Sequence, residues 1–164
     1  MSTLLERIRR YADNRGMMAN LRCVLVESKK HRAWPVLNRM GIDIGDDIAT
    51  LVAGLFSAHP DETPSGNFGN TCRIIEQRRS EKRSDDNKLT PTERRFQHLL
   101  SAEPGNELHE RIARMVFMAK AQSISVNYEK LLSDLRYWND RTKTEWGMAF
   151  WAPHAVSGDE AEVV

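Results

Sequence analysis

Arginines are the residues of this sequence whose type and spacing could do chemistry, and that chemistry would be the binding of an external anion. Arg94 and Arg95 are adjacent, and Arg111 and Arg114 are three residues apart. Residues three apart on a helix are neighbours on its surface, so Arg111 and Arg114 would form a one-turn basic ridge. Such groups can bind phosphates or acidic surfaces without any reactive group of their own.

The first arginine pair lies in a helix whose start is clear from the sequence. Thr90 is a preferred N-cap residue, Pro91 suits the first helical position, and Glu93 completes a capping box. Cations close to the positive end of a helix dipole are unfavourable by about a few tenths of a kcal/mol each. Two arginines held there in a fixed geometry therefore invite an external anion as their partner.

Further basic residues extend the list of candidates. Arg141 and Lys143 follow Trp138, and Arg22 lies in the basic first part of the chain. A second interpretation stays open, because surface ion pairs are common and weak. In that interpretation the arginines form solvated faces and pair with nearby carboxylates, namely those of Glu107, Glu110, Asp134 and Asp140.

No pattern of metal ligands or nucleophiles accompanies these cations. None of the five histidines lies three or four residues from another, and H-E-x-x-H, C-x-x-C and G-x-S-x-G are absent. We expect every histidine at the surface, and Cys23 and Cys72 as buried free thiols in a reducing compartment. A hydrolase would need clustered carboxylates, and Asp85 and Asp86 are the only close pair outside the acidic segments. The sequence therefore predicts no metal, no cofactor and no enzymatic activity.

The charge of the chain is nearly balanced but unevenly distributed. The formal net charge is +1, while residues 46–65 contain four acidic residues and neither Lys nor Arg. A basic face is therefore possible, and the acidic segments limit indiscriminate binding to nucleic acid. No apolar run is long enough to cross a bilayer, and no apolar stretch of the signal-peptide type follows the basic start. We expect a cytoplasmic protein, neither membrane-bound nor secreted.

The elements that must position the arginines have a helical period almost throughout. Only residues 123–126 alternate as a short strand would. We predict an all-α fold in which a small N-terminal helical region packs on a C-terminal four- or five-helix bundle. Trp151 is expected to be a half-exposed partner contact, whereas core packing is predicted for the other aromatic residues of the last helices, namely Tyr128, Trp138, Trp146 and Phe150.

Composition divides the chain into four parts. Residues 1–60 form the N-terminal helical region, and residues 61–70, rich in Pro, Gly, Ser and Asn, form a linker. Residues 71–151 form the bundle, and residues 152–164 form an acidic tail that we expect to be disordered. Within the bundle, the all-polar residues 78–88 are expected to form a mobile loop.

The order of motifs in the second half resembles that of a known family. GNFGNTCRII at 66–75 precedes TERRFQHLLSA at 92–102, and a final W-x3-F occupies 146–150. Between them, residues 109–138 contain the pattern V-x-Y-x-x-L-L-x-D-L-x-x-W. Over residues 66–151 this is similar to the CasB family, the small subunit of the type I-E CRISPR Cascade complex.

The resemblance implies a two-part helical protein without enzymatic activity. It implies two copies along the crRNA-containing complex, in contact with its backbone and large subunits and with the target DNA. Basic residues of the family that line the DNA path match Arg22, Arg95, Arg114 and Arg141. Their neighbours Arg94, Arg111 and Lys143 are added on physical grounds. Arg73 is a further candidate, since it follows Asn70, which stands where the family often has a basic residue.

The sequence thus predicts a non-catalytic subunit that contacts the DNA backbone without reading its sequence and so stabilises the R-loop. Such contacts are sensitive to salt. The alternative is a purely structural helical scaffold, in which the arginines meet acidic surfaces of partner subunits and touch no nucleic acid.

Overall fold

The computed structural model describes residues 2–79 and 88–153, and within them the fold is all-α, as predicted. The helices are α1 (Leu4–Arg9), α2 (Arg15–Arg22), α3 (Trp34–Arg39), α4 (Asp47–Ala58), α5 (Phe68–Arg78), α6 (Pro91–Ser101), α7 (Asn106–Ala121), α8 (Tyr128–Arg136) and α9 (Asp140–Phe150). Two 3-10 helices, Cys23–Leu25 and Glu27–Ala33, connect α2 to α3.

Short polar side chains set where most of these helices begin. A side chain at the N-cap accepts a hydrogen bond from a backbone N–H of the first turn in seven helices, from Thr3, Asn14, Asp46, Asn67, Thr90, Asn127 and Asn139. Each such cap stabilises its helix by about 1 kcal/mol. The capping box predicted at Thr90 and Glu93 is confirmed.

Helix α4 joins the two halves of the chain. Every residue from Ala49 to Ala58 is buried, which is typical of a helix that is apolar on all sides. α4 contacts α1 and α2 from the first half and α7 and α8 from the second. One hydrophobic core therefore runs through the described residues, from Leu5 to Phe150. The division at residues 61–70 stays a prediction.

The segment after α4 is tied to the segment before α8. Val126 donates its backbone N–H to the Asp61 carbonyl at 3.0 Å, and Thr63 donates to the Val126 carbonyl at 3.1 Å. These bonds form one isolated bridge between Glu62 and Val126, and the described residues contain no strand at 123–126. The tie fixes the entry to α8.

Two surface and burial predictions were wrong. His59 is buried rather than exposed, because its Nε2 lies 2.7 Å from the Ile124 carbonyl oxygen and so satisfies a buried acceptor. Cys23 is only half-buried, since it lies in a 3-10 helix close to the surface, whereas Cys72 is fully buried. Both thiols are free.

The second half of the chain packs largely through aromatic side chains. Tyr128, Trp146 and Phe150 are buried as predicted, and the half-buried Trp138 packs its ring edge on Trp146. The Trp146 indole donates to the buried Asp134 carboxylate at 2.7 Å, which joins α9 to α8. A mobile loop and a disordered tail were also predicted. Residues 80–87 of that loop and 154–164 of that tail lie outside the described residues.

Candidate nucleic-acid interface

Buried hydrogen bonds within the first turn, and one bond to the end of α9, fix the start of α6. Glu93 accepts the Thr90 backbone N–H at 2.8 Å, and the Thr90 hydroxyl accepts the Glu93 N–H at 3.1 Å. The second oxygen of Glu93 accepts the indole N–H of Trp151 at 3.1 Å, although Trp151 remains 41% exposed. The first turn of α6 is therefore fixed to the end of α9, and its arginines have a rigid base.

Arg94 and Arg95 leave this turn in different situations. Both are exposed. Arg94 folds back and donates to the Leu89 carbonyl at 3.2 Å. The side chain of Arg95 has no hydrogen bond or ion pair to any residue that the structure describes, so its guanidinium is available to an external anion.

The same contrast separates Arg111 from Arg114 on α7. Arg111 is half-buried, donates to Glu107 at 3.3 Å, and has a buried Nε without a hydrogen-bond partner. Arg114 is exposed and forms no internal bond within residues 2–79 and 88–153. The predicted basic ridge therefore presents one free guanidinium rather than two.

The two cations of α9 are both engaged, but weakly. Arg141 has 87% of its side chain exposed and pairs with Glu145 at 3.4 Å. The ammonium of Lys143 lies 5.8 Å from the centroid of the Trp138 ring, within the range of a cation–π contact. Because surface pairs of this kind are worth little, either side chain can exchange its partner for a phosphate.

Arg22 and Arg73 bond to main-chain carbonyls. Arg22 donates to Ser57 at the end of α4, at 3.3 Å. Arg73, half-buried on α5, donates to Ala149 at 3.5 Å and to Ala152 at 3.0 Å. The carbonyls of the last turn of a helix lack partners within the helix, so Arg73 caps the end of α9.

The structure brings only some of the candidates onto neighbouring elements. Helices α6 and α7 contact each other, and α5 contacts both, so the helices that carry Arg73, Arg95 and Arg114 form one packed group. Arg22 belongs to α2, which packs on α3, α4 and the two 3-10 helices. The candidates thus occupy more than one surface.

Arg15 is an exposed cation beside Arg22 that the sequence did not single out as a candidate anion-binding residue. It lines a groove of about 450 Å³ together with Arg22, Met18 and Pro60, is exposed, and has no internal partner among the described residues. The signal was the seven-residue spacing from Arg22, which places both on one face of α2 two turns apart.

The described residues show neither a metal site nor a membrane span. They contain no group of three or more His, Cys, Asp or Glu side chains that could hold a metal ion. Within the same residues, none of the helices is both long enough and apolar enough to cross a bilayer.

Comparison with known proteins gives one family and one fold. A family profile described as CRISPR-associated protein Cse2 matches residues 8–151. The crystal structure of M. ruber CasB is similar over 100% of both chains, with a TM-score of 0.66 and 22% sequence identity. A search of curated protein sequences gives no match.

Proposed function

The chain belongs to the CRISPR-associated Cse2 (CasB) family, the small subunit of the type I-E Cascade complex, and from this premise we propose that it holds opened target DNA by its phosphate backbone. The proposal assigns it no catalytic role. Its expected partners are the backbone and large subunits of Cascade, the crRNA-containing complex, the target DNA and a second copy of itself, in the cytoplasm.

One observation carries the proposal. Arg95 and Arg114 are exposed, lie on two helices in mutual contact, and form no bond to any other described residue. An arginine that pairs with a carbonyl or a carboxylate must give up that bond before it binds a phosphate, and these two need not. Arg94, Arg111, Arg141 and Lys143 lie on α6, α7 and α9 and can add contacts at the edge.

The mechanism needs only charge at fixed positions. Guide pairing reads the sequence, and the RNA–DNA duplex is about as stable as the DNA duplex it replaces. A few phosphate contacts can therefore shift the exchange towards the open state, and such contacts carry no sequence information. The buried Glu93 bonds hold the base of Arg95 rigid, which reduces the entropy lost on binding.

The test is the lifetime of the R-loop in the assembled complex. Arg95→Ala and Arg114→Ala should each shorten it by roughly threefold to tenfold, in line with the loss of one phosphate contact. Arg39→Ala is the matched control, because Arg39 is exposed at the end of α3 and outside the candidate set. Lifetimes that stay unchanged in both test variants would contradict the proposal.

A structural scaffold is the second candidate function, and the internal bonds of other arginines favour it. Arg73 caps α9, while Arg111 and Arg141 pair with Glu107 and Glu145. If the remaining arginines met acidic surfaces of partner subunits, no phosphate would be touched. Photocrosslinking from labelled target DNA separates the two: crosslinks to α6 or α7 support DNA contact, and crosslinks to other subunits alone support the scaffold.

A further inference from the structure

A groove between the two halves of the chain lies outside the proposed DNA-binding residues. It has a volume of about 620 Å³ and is formed by the 3-10 helix Glu27–Ala33, the start of α4 and the start of α7. None of the eight candidate cations lines it. Its volume is within the usual range for pockets that receive a ligand or a few side chains, about 300–1,000 Å³.

Several apolar side chains line this groove, and two of them are substantially exposed to solvent. Trp34 is 39% exposed and Ile44 is 43% exposed, and Val24, Leu25 and Leu51 complete the apolar lining. Two exposed large apolar side chains that meet in one concavity are typical of a site that another molecule covers.

The charge of the groove is negative. Three carboxylates line it against one ammonium, that of Lys30, which pairs with Glu27 at 2.7 Å and also feels the charge of Asp47. The carboxylates of Asp47 and Glu110 form no hydrogen bond or ion pair with a described residue. Burial lowers the pKa of His109, an effect that the nearby Asp47 carboxylate partly opposes, and so favours the uncharged ring. Asp47 is the first residue of α4, and its carboxylate lies close enough to Lys30 and His109 to act on both electrostatically.

We propose that this groove docks a segment of another protein subunit of the complex, one that presents a lysine or arginine beside an apolar side chain. The cation would pair with Asp47 and Glu110, and the apolar group would cover Trp34 and Ile44. Complementary charge of this kind selects the partner and its orientation. The proposal rests on membership of the Cascade complex and does not depend on DNA contact.

The negative charge also argues against two other occupants. Phosphates of nucleic acid would be repelled by Asp47 and Glu110. Residues 154–164 of the chain itself contain three acidic residues and neither Lys nor Arg, so like charges would oppose their binding too. A second copy of the chain remains an occupant that the experiment must distinguish.

Photocrosslinking in the assembled complex identifies the occupant. The substitution Ile44→p-benzoylphenylalanine places a photoreactive ring in the groove, and mass spectrometry locates the crosslink. The expected product joins position 44 to a different protein subunit, within a segment that contains Lys or Arg. A crosslink to nucleic acid, a crosslink to a second copy of the chain, or the absence of any crosslink would each overturn the proposal.

Charge reversal tests the same contact through affinity. Glu110→Lys should weaken incorporation of the full chain into the complex by roughly tenfold, because it places like charges opposite each other. Asp13→Lys is the matched control, since Asp13 is exposed and does not line the groove. Equal affinities for the wild type and Glu110→Lys, or equal losses in both variants, would overturn the proposal. Incorporation is measured without target DNA, so failure of the DNA contacts of Arg95 and Arg114 cannot imitate this result.

Discussion

The helix pair α5–α9 and the helix pair α6–α7 use arginine in opposite ways. Arg73 of α5 donates to the carbonyls of Ala149 and Ala152 at the end of α9. Arg95 of α6 and Arg114 of α7 are exposed and form no bond within the part of the chain that the structure describes. Arg73 is therefore a helix cap, whereas Arg95 and Arg114 have no partner among the described residues.

The difference follows from what each helix end offers. The last turn of α9 and the residues just after it present carbonyl oxygens without intrahelical partners, and those of Ala149 and Ala152 accept hydrogen bonds from Arg73. Arg95 lies near the start of α6, where the free backbone groups are N–H donors. A guanidinium cannot accept hydrogen bonds from them. Arg114 lies inside α7, whose carbonyls already accept intrahelical bonds. Position relative to a helix terminus therefore decides whether an arginine can bond to helix-end carbonyls, as Arg73 does.

Substitution of Gly69 is expected to disturb the packing of α5 on α9 most strongly. A Cβ at Gly69 would overlap the Trp146 carbonyl oxygen and lie 2.9 Å from its carbon. Both atoms are backbone, so α5 and α9 would have to separate. We expect Gly69→Ala to lower the free energy of unfolding by about 2–3 kcal/mol in urea denaturation.

The control for this prediction lies on the partner helix. A Cβ at Gly147 of α9 meets only the Trp151 ring, at 4.0 Å. Because alanine favours the helix more than glycine does, Gly147→Ala should raise the free energy of unfolding by about 0.5–1 kcal/mol. Equal losses in the two variants would show that α5 and α9 do not approach each other as closely as described.

The second prediction compares an inward arginine with an outward one by the same substitution. Arg73→Met keeps most of the apolar stem but removes the bonds to Ala149 in α9 and to Ala152 just after it, and should lower the free energy of unfolding by about 1–2 kcal/mol. Arg95→Met removes no internal bond and should change it by less than about 0.5 kcal/mol. Chemical denaturation of the two variants side by side measures this difference, and similar values would remove the distinction between the two helix pairs.

The sequence predicted the elements better than the roles of their side chains. Thr90, Pro91 and Glu93 sufficed to place the start of α6, because capping is a local property. The cap formed by Arg73 depends on where α9 ends, 76 and 79 residues away along the chain, so no local pattern reveals it. His59 was predicted at the surface for the same reason, since its partner Ile124 comes from a distant segment.

A third prediction concerns pH and the arginine at the end of α8. Arg136 donates to both carboxylate oxygens of Asp46, at 2.8 and 3.2 Å, and this hydrogen-bonded pair lowers the pKa of Asp46. The pair therefore stabilises the fold above the aspartate pKa of the unfolded chain, about 3.9. Its contribution is lost as the pH falls through the lowered pKa of the folded state. Both side chains are partly exposed, so the contribution is less than about 1 kcal/mol.

Asp46→Asn isolates this ion pair, because asparagine retains the N-cap acceptor of α4. The variant should unfold more easily than the wild type near neutral pH, and the gap should narrow as the solution is acidified. Urea denaturation at about pH 7 and about pH 3 measures both gaps. A gap that is constant or grows in acid would contradict a stabilising contribution from the charged pair.

The smallest expected effect on stability is also the sharpest test of the comparison. Arg95→Ala and Arg114→Ala should each change the free energy of unfolding by less than about 0.5 kcal/mol, since neither side chain has an internal partner to lose. In the assembled complex, each should reduce the slope of log affinity for target DNA against log salt by about 0.7–0.9, the share of one phosphate. Arg73→Met should do the reverse, with lower stability and an unchanged slope. If Arg73→Met flattened the salt dependence while Arg95→Ala left it intact, the arginine that caps a helix would be the one that holds DNA, and availability in the free subunit would not determine function.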